Sequence, residues 1–266
     1  MKIHSYKDKF QLKNKRIIIV GGLGLLGKEI SKALSELGAK IVIADLINSK
    51  VKKNINYNYV NIDCFKISKA EKTIKKCAGK YFDANVLINC SYPRTKDWYK
   101  NNFKDITLKS YEKNISGQLN SHVWLSRVFA EELKKKNRSG RILNFSSIYG
   151  ILGQDLTIYK KTKMKENLTY SVVKGAIINF TRQMASYYGK YNILTNCVCP
   201  GGVYGPVQGL SAKQDKVFLK NYSSKVPMKR LAFSSEIASV TAFMCSDASS
   251  YINGTSLVVD GGWSVI

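Results

Sequence analysis

The chain predicts an α/β fold, one parallel sheet wound on both faces by helices, and three observations carry that prediction. First, Ile17, Ile18, Ile19 and Val20 form a β-branched apolar run with no polar alternation, the pattern of a strand buried on both faces of a parallel sheet. Second, Gly21, Gly24 and Gly27 follow at once. Residues without Cβ allow a tight turn whose backbone N–H groups can approach a pyrophosphate. Third, strand-like and helix-like stretches alternate to the C terminus with no linker, repeat or low-complexity tract, which favours right-handed βαβ crossovers.

The elements follow in order. Met1–Lys15 is a polar lead-in. After the first strand, Leu26, Ile30, Ala33, Leu34 and Leu37 repeat at helical spacing, so the helix starts inside the glycine loop with its positive end toward bound phosphates. Gly38 ends it as a C′ glycine does. Ile41, Val42 and Ile43 make a second buried strand that ends at Asp45. Ile47–Asn56 is a Lys/Asn-rich connection, and Tyr57–Ile62 alternates as a third strand ending at Asp63. Ser68–Lys80 reads as a helix closing near Gly79. Asn85–Ile88 is a fourth strand, followed by a polar, aromatic loop over Tyr92–Lys104. Leu108–Lys136 is a long helix, with Tyr111, Ile115, Leu119, Val123, Trp124, Val128, Phe129 and Leu133 at helical steps. Gly140–Phe145 is a fifth strand ending in Ser146-Ser147. Gln154–Leu168 is a polar insertion, and Thr169–Tyr188 is a helix. Asn192–Val198 is a sixth strand, leading to Pro200-Gly201. Ser211–Tyr222 is a lid helix, and Ser235–Cys245 is a helix with Ser234 as its N-cap. Ser256–Val259 is the last strand, closed by Asp260 and two glycines. The total of about seven strands is a Rossmann arrangement.

At 266 residues the chain suits one large domain, 1–266, better than two. Its segment near 154–168 then serves as a substrate-site insertion and that near 203–226 as a lid. Hydrophobic residues make up 44%, enough for a sizeable core. No apolar run approaches the roughly 18 residues of a membrane span, and the start lacks an apolar signal-peptide core. The six cysteines form no CxxC pair and no zinc spacing, so no metal site is expected; they read as small buried hydrophobes in a reducing cytoplasm. The net charge is +25, and 36 of the 43 basic residues are Lys. Bidentate phosphate and base recognition prefers Arg. The Lys bias, spread over nearly every helix, therefore favours a solvated cationic surface over specific nucleic-acid binding.

Two constellations carry chemistry. Asp45 lies 18 positions after Gly27, at the end of the next strand, where an acid accepts hydrogen bonds from the adenosine ribose hydroxyls. It would repel a 2′-phosphate, so NAD(H) is favoured over NADP(H). Tyr170 and Lys174 stand one helical turn apart on one face. An ammonium near a phenol stabilises phenolate, lowering its pKa toward working pH. Such a tyrosine exchanges a proton with a carbonyl or alcohol oxygen while hydride moves to or from nicotinamide. Ser147, at a strand end facing the ligand crevice, can hydrogen-bond the reacting oxygen.

With the glycine loop, Asp45, Asp63, Asn89, Ser147, Tyr170/Lys174, Pro200-Gly201 and the ending Tyr251-Ile-Asn-Gly…Val-Val-Asp-Gly-Gly262 in view, the chain resembles a short-chain dehydrogenase/reductase from about residue 12 onward. The resemblance implies a cofactor site lined by Gly21, Gly24, Leu25, Leu26, Gly27, Asp45 and Leu46. It places Asp63 and Cys64 at the adenine, Asn89 and Ser91 beside the ribose and Val203 at the nicotinamide carboxamide, and adds Cys90, Pro200, Gly201, Tyr170 and Lys174 to the cofactor-binding set. It further implies a homotetramer or homodimer, with Leu108–Lys136 and Thr169–Tyr188 packing across a two-fold axis. Trp124, Phe129 and Phe180 are contacts there or core residues.

The departures are specific. Val20 stands where the family has Thr, and the GxxGxxG spacing is commoner in the extended branch. The turn after the fourth strand reads Asn89-Cys-Ser-Tyr92 and is bulkier than usual. The family's catalytic Asn corresponds to Gln118, with Asn114 and Asn120 nearby, as the residue that would order water. The spacing from Ser147 to Tyr170 is longer than common, so Asp155–Lys165 walls the substrate site. With Tyr92-Pro-Arg94 and Ser146-Ser-Ile-Tyr-Gly150, that insertion most resembles a bacterial subgroup of flagellin modification and legionaminic-acid-type sugar biosynthesis. The implied substrate is a small molecule, a sugar phosphate or nucleotide sugar. Arg94, Lys96 and the lysines at 160, 161, 163 and 165 either attract its phosphate or form a solvated loop. A 3-oxoacyl-thioester reductase and a non-catalytic dinucleotide- or nucleic-acid-binding scaffold are the competing readings.

Overall fold

The computed structural model describes residues 5–48, 53–205 and 214–266. Its strands are β1 (Arg16–Val20), β2 (Lys40–Asp45), β3 (Tyr57–Asn61), β4 (Val86–Asn89), β5 (Gly140–Phe145), β6 (Ile193–Pro200) and β7 (Ser256–Val259). They form one sheet of seven strands in the order β3-β2-β1-β4-β5-β6-β7, and every pairing is parallel. The helices are α1 (Tyr6–Lys9), α2 (Leu25–Glu36), α3 (Ile67–Ala78), α4 (Leu108–Lys135), α5 (Leu168–Tyr188), α6 (Lys216–Lys225) and α7 (Ser234–Cys245). The chain winds outward from β1 to β3, then returns to β4 on the other side of β1. That reversal opens a crevice at the strand C-termini, where ligands bind in such sheets. The predicted doubly wound fold is present.

The absence of alternation in β1 has a simple cause. Ile17 and Ile19 point into a core with Ile30 and Leu34 of α2 and Ile237 and Ala242 of α7. Ile18 and Val20 point the other way, against Ile74 of α3, Leu125, Phe129 and Leu133 of α4, and Met184 of α5. Both faces are dry, so both need apolar residues. Each fully buried side chain of this size contributes about 1.5–3 kcal/mol. A third cluster sits over the C-terminal edge of the sheet, where Ile148 and Ile158 meet Tyr222, Val226, Leu231 and Trp263.

Several local expectations are corrected. The lid helix begins at Lys216, capped by the Asp215 carboxylate, which accepts from the N–H groups of Val217 and Phe218; residues 206–213 of the expected lid lie outside the described residues. The N-cap of α7 is Phe233, one residue before the expected Ser234. The Glu236 carboxylate reaches back to accept from the Phe233 N–H at 2.8 Å and pairs with Arg230, the returning half of a capping box without a cap side chain. Phe129 is core. Trp124 is exposed, its indole N–H donating to Glu71 at 2.6 Å, and Phe180 is partly buried against the core. All six cysteines are free; Cys90 is half-buried and the others are buried. Among the described residues no helix is long and apolar enough to cross a membrane.

Candidate active site

The glycine turn joins β1 to α2. Gly21 has φ +81, a left-handed conformation that glycine adopts without strain. A Cβ there would stand 2.7 Å from the Ser91 Cα, so the missing side chain lets the first turn lie on the loop after β4. A Cβ on Gly27 would run into the Gly21 carbonyl and stand 2.7 Å from the Gly22 Cα; this glycine packs α2 onto its own turn. Gly24 is the N-cap and offers no side chain to the first helical N–H groups. The N–H groups of Leu25, Leu26 and Gly27 therefore begin a helix whose positive end is open. The Leu25 side chain reaches Gly205, where φ is +127 and a Cβ would stand 2.6 Å from Leu25 Cδ1. The turn thus touches the segment that carries Val203, which bridges to Ala232.

Asp45 closes this end. Its Oδ2 accepts from the Leu23 N–H at 2.9 Å and its Oδ1 from the Leu46 N–H at 2.8 Å. The carboxylate is thereby held against the glycine turn. Asp63 caps the turn after β3, accepting from the Phe65 N–H at 3.0 Å, and Cys64 beside it is buried. On β4 the Asn89 Nδ2 donates to the Ser121 carbonyl, while its Oδ1 accepts from the Ser91 N–H and hydroxyl at 3.1 and 2.7 Å. Cys90 Sγ lies 3.3 Å from the Val20 carbonyl oxygen. Gly201, after Pro200, donates its N–H to Val259. These contacts join the glycine turn to Asp45 and to the loop after β4 at the C-terminal ends of the strands.

Across the crevice stand Ser147, Tyr170 and Lys174. Asn167 caps α5 and accepts from the Tyr170 N–H at 2.8 Å, which sets the phenol in the first turn. The Ser146 hydroxyl donates to the Lys174 carbonyl at 2.7 Å. A Cβ on Gly150 would stand 2.6 Å from that same carbonyl oxygen. These contacts clamp α5 to the end of β5 and bring Ser147 to the Tyr170 phenol. Lys174 is buried; its Nζ donates to the Phe145 carbonyl at 2.8 Å and lies 5.5 Å from the Tyr170 ring centre. Burial lowers the Lys174 pKa to about 8. The expected lowering of the Tyr170 pKa by Lys174 does not appear. Burial pushes the phenol up, the Ser147 hydroxyl opposes that, and the ammonium is spent on the Phe145 carbonyl.

This geometry agrees with the comparisons. A family model described as enoyl-(acyl carrier protein) reductase matches residues 24–264. The post-translational flagellin modification protein A of Campylobacter coli is 26% identical over 96% of this chain and 100% of its own. A crystal structure of a short chain dehydrogenase from Leptospira borgpetersenii with bound NAD+ matches with TM-score 0.84 and 27% identity, over 99% of this chain and 97% of that one. The chain belongs to the short-chain dehydrogenase/reductase family. A gluconate 5-dehydrogenase from Burkholderia cenocepacia, in complex with NADP and tartrate, matches with TM-score 0.84 at 20% identity, over 97% and 98% of the two chains, and supports the fold. This family is one of oxidoreductases that bind NAD or NADP.

Within this dehydrogenase/reductase frame, the three candidates on α4 separate. Asn120 is exposed. Asn114 is buried and committed, taking the Thr95 N–H and donating to the Thr95 hydroxyl at 2.7 Å. Gln118 is buried with neither amide atom partnered. Its backbone carbonyl accepts from the Ser121 hydroxyl at 2.8 Å and from His122 Nδ1 at 2.9 Å. A carbonyl only accepts, so Nδ1 carries the proton, and the buried Nε2 is left without a partner. Burial, then the Lys174 charge, lowers the His122 pKa to about 3, which keeps the ring neutral. Sequence reasoning passed over His122; its signal was a histidine one helical turn after Gln118.

The aromatic wall was also missed. Tyr92 meets Tyr170 and Trp98 edge-on at 5.6 Å in each case, and Tyr149 meets Tyr170 at 6.5 Å. Burial holds the phenols of Tyr92 and Tyr149 in their neutral form. The insertion continues this wall. Gln154 ties Asn167 and Ser171, Tyr159 stacks on Phe218 of α6, and Lys225 pairs with Asp155 at 3.2 Å. Of the candidate phosphate-attracting cations, Lys165 is committed to Asp105 at 2.7 Å. Lys96, Lys160, Lys161 and Lys163 are exposed. Arg94 lies over the Tyr92 ring at 5.1 Å.

Proposed function

We propose that this protein is an NAD(H)-dependent oxidoreductase that interconverts a carbonyl and a secondary alcohol, on a sugar phosphate or nucleotide-sugar derivative. The observation that carries the reading is the clamp that brings Ser147, Tyr170 and Lys174 to the crevice beside the glycine turn. The two glycines whose added Cβ atoms would collide with backbone, and the open N-terminus of α2, fit a dinucleotide. When bound, that group supplies or accepts the hydride. In the reducing direction, the Tyr170 phenol gives its proton to the carbonyl oxygen as the alcohol forms, and Ser147 donates a hydrogen bond to that oxygen. Burial keeps the phenol protonated, the form that donates in this step; in the oxidising direction the same step runs in reverse. Lys174 holds positive charge 5.5 Å from the Tyr170 ring centre; burial outweighs it in the resting site, and it favours the phenolate only once the proton has left. Gln118, with His122, orders the water that restores the proton.

Asp45, pinned by two backbone N–H groups, supports NAD(H) over NADP(H). The aromatic wall beside Arg94 supports a polar ring bearing a phosphate, since ring faces pack on aromatic side chains while guanidinium pairs with the anion. The flagellin-modification relative supports the same substrate class. The six free thiols support a reducing, cytoplasmic setting. Exposed Leu108 and Trp124 on α4 and Val172 on α5 support self-association through these helices, as a homotetramer or homodimer.

The test is Tyr170→Phe. Turnover falls at least about 100-fold, while NADH fluorescence titration shows unchanged binding. Full activity in that variant overturns the assignment. Turnover of acetoacetyl thioesters with NADPH, and not with NADH, would replace it with the thioester-reductase reading.

A further inference from the structure

A second site lies at the opposite end of the sheet. The strands are parallel, so their N-terminal ends meet along one edge, away from the cofactor crevice. With about 3.3 Å per residue and five residues in β1, that edge is roughly 17 Å from the glycine turn. Here β1 opens with Arg16, which is in register with Lys40, the first residue of β2. The Asn85 N–H donates to the Arg16 carbonyl, and the Arg141 N–H to the Asn85 carbonyl. The sheet register thus places Lys40, Arg16, Asn85 and the Arg138 turn in a row.

A cavity of about 360 Å³ opens along this row, lined by Lys13, Asn14, Arg16, Lys40, Asp83, Asn85 and Arg138. It holds four cationic side chains against one carboxylate. Asp83 does not neutralise the four; it positions two of them. The Arg138 guanidinium pairs with the Asp83 carboxylate and donates to its backbone carbonyl at 2.9 Å. The Arg16 guanidinium lies 3.9 Å from the other carboxylate oxygen and donates to the Phe82 carbonyl at 3.3 Å. Both planar forks are preorganised, which lowers the ordering cost of gripping an anion. Gly38, with φ +94, would place a Cβ 3.0 Å from Lys13 Cγ, so its missing side chain makes room for the Lys13 stem. Neither Lys13 nor Lys40 has an acceptor for its ammonium among the described residues. Two fixed guanidiniums and two uncommitted ammoniums therefore face one concavity of small-molecule size.

We propose that this cavity is a binding site for a small polyphosphate group, a di- or triphosphate, distinct from the cofactor crevice. Four cations against one carboxylate leave a net charge of +3; a single phosphate matches only part of it, and adjacent phosphoryl groups match it in full. The recess favours a compact polyanion over a nucleic-acid backbone, which needs an open track.

The experiment is calorimetric titration of tripolyphosphate into the full chain at low salt, with and without saturating NADH. Binding is expected in both, because the sites are separate. Lys13→Ala/Lys40→Ala, at two exposed positions, should weaken it about tenfold or more, since two charge-assisted contacts are lost, and leave NADH affinity unchanged. The control is Lys69→Ala/Lys72→Ala on α3, which removes the same charge elsewhere and should change affinity less than about twofold. Displacement of tripolyphosphate by NADH, equal loss in both double variants, or no binding to the parent chain overturns the proposal. So does a duplex DNA that outcompetes tripolyphosphate and whose binding falls with the same lysines.

Discussion

The Lys174 ammonium donates to the Phe145 carbonyl at 2.8 Å, buried between α5 and the end of β5. That single acceptor does not replace water, so the folded-state pKa drops to about 8, against roughly 10.4 in an unfolded chain. Below pH 8 the group is charged in both states, and the folded state bears the whole cost of burying it. Between pH 8 and about 10.4 the unfolded chain holds a proton that the folded chain has released, so this group's contribution to stability rises with pH across that window. On the proposed mechanism activity runs the other way, because only the charged form favours the phenolate that forms in the step. We expect kcat/KM to fall as pH rises through about 8 while the denaturation midpoint, compared with Lys174→Met, gains. A pH–rate profile beside urea unfolding at pH 7 and 9 checks both slopes.

Gln118 makes a second opposition between stability and turnover. Its amide is buried without a partner, and leaving such a group unpaired costs about 1–3 kcal/mol. Gln118→Met keeps the volume and removes the polar atoms. The expected result is a raised Tm with kcat reduced about tenfold or more and KM little changed. A variant that is both more stable and fully active would take Gln118 out of the proton path.

The fold was legible because parallel sheets force apolar residues onto both sides of each central strand. Ile17–Val20 could bury in no other way. The Tyr170/Lys174 pair was legible because helical spacing is local. The pKa of that phenol was not. It depends on how deeply the crevice wall desolvates the ring and on what else the ammonium finds, and the Phe145 carbonyl is 29 positions away in sequence. His122 was hidden for the same reason: an isolated histidine acquires meaning only when Gln118, Asn89 and Lys174 surround it. The Phe233 cap was missed because a hydroxyl was sought at the N-cap, while the helix start is held by a carboxylate three residues later that takes the cap residue's own N–H.

Gly27 tests the cofactor cradle apart from catalysis. Its Cβ position falls on the backbone of Gly21 and Gly22, which cannot move as a flexible side chain would. Gly27→Ala should therefore push α2 off its turn and cost about 1–3 kcal/mol of stability, the usual penalty of overpacking. NADH affinity should fall at least about tenfold. Thermal unfolding and fluorescence titration of the same preparation separate the two effects.

The proposed preference for NAD(H) rests on Asp45. Both carboxylate oxygens are oriented by backbone N–H groups, from Leu23 and Leu46, so the charge stays at the mouth of the glycine turn. A phosphate on the adenosine ribose would come within a few ångströms of it, where like charges repel strongly in a partly desolvated site. Asp45→Ser keeps a short polar side chain and removes the charge. Its ratio of kcat/KM for NADPH over NADH should rise about tenfold or more, by weaker use of NADH and better use of NADPH together. An unchanged ratio would remove Asp45 from cofactor selection and leave it as the clasp that holds the glycine turn to β2.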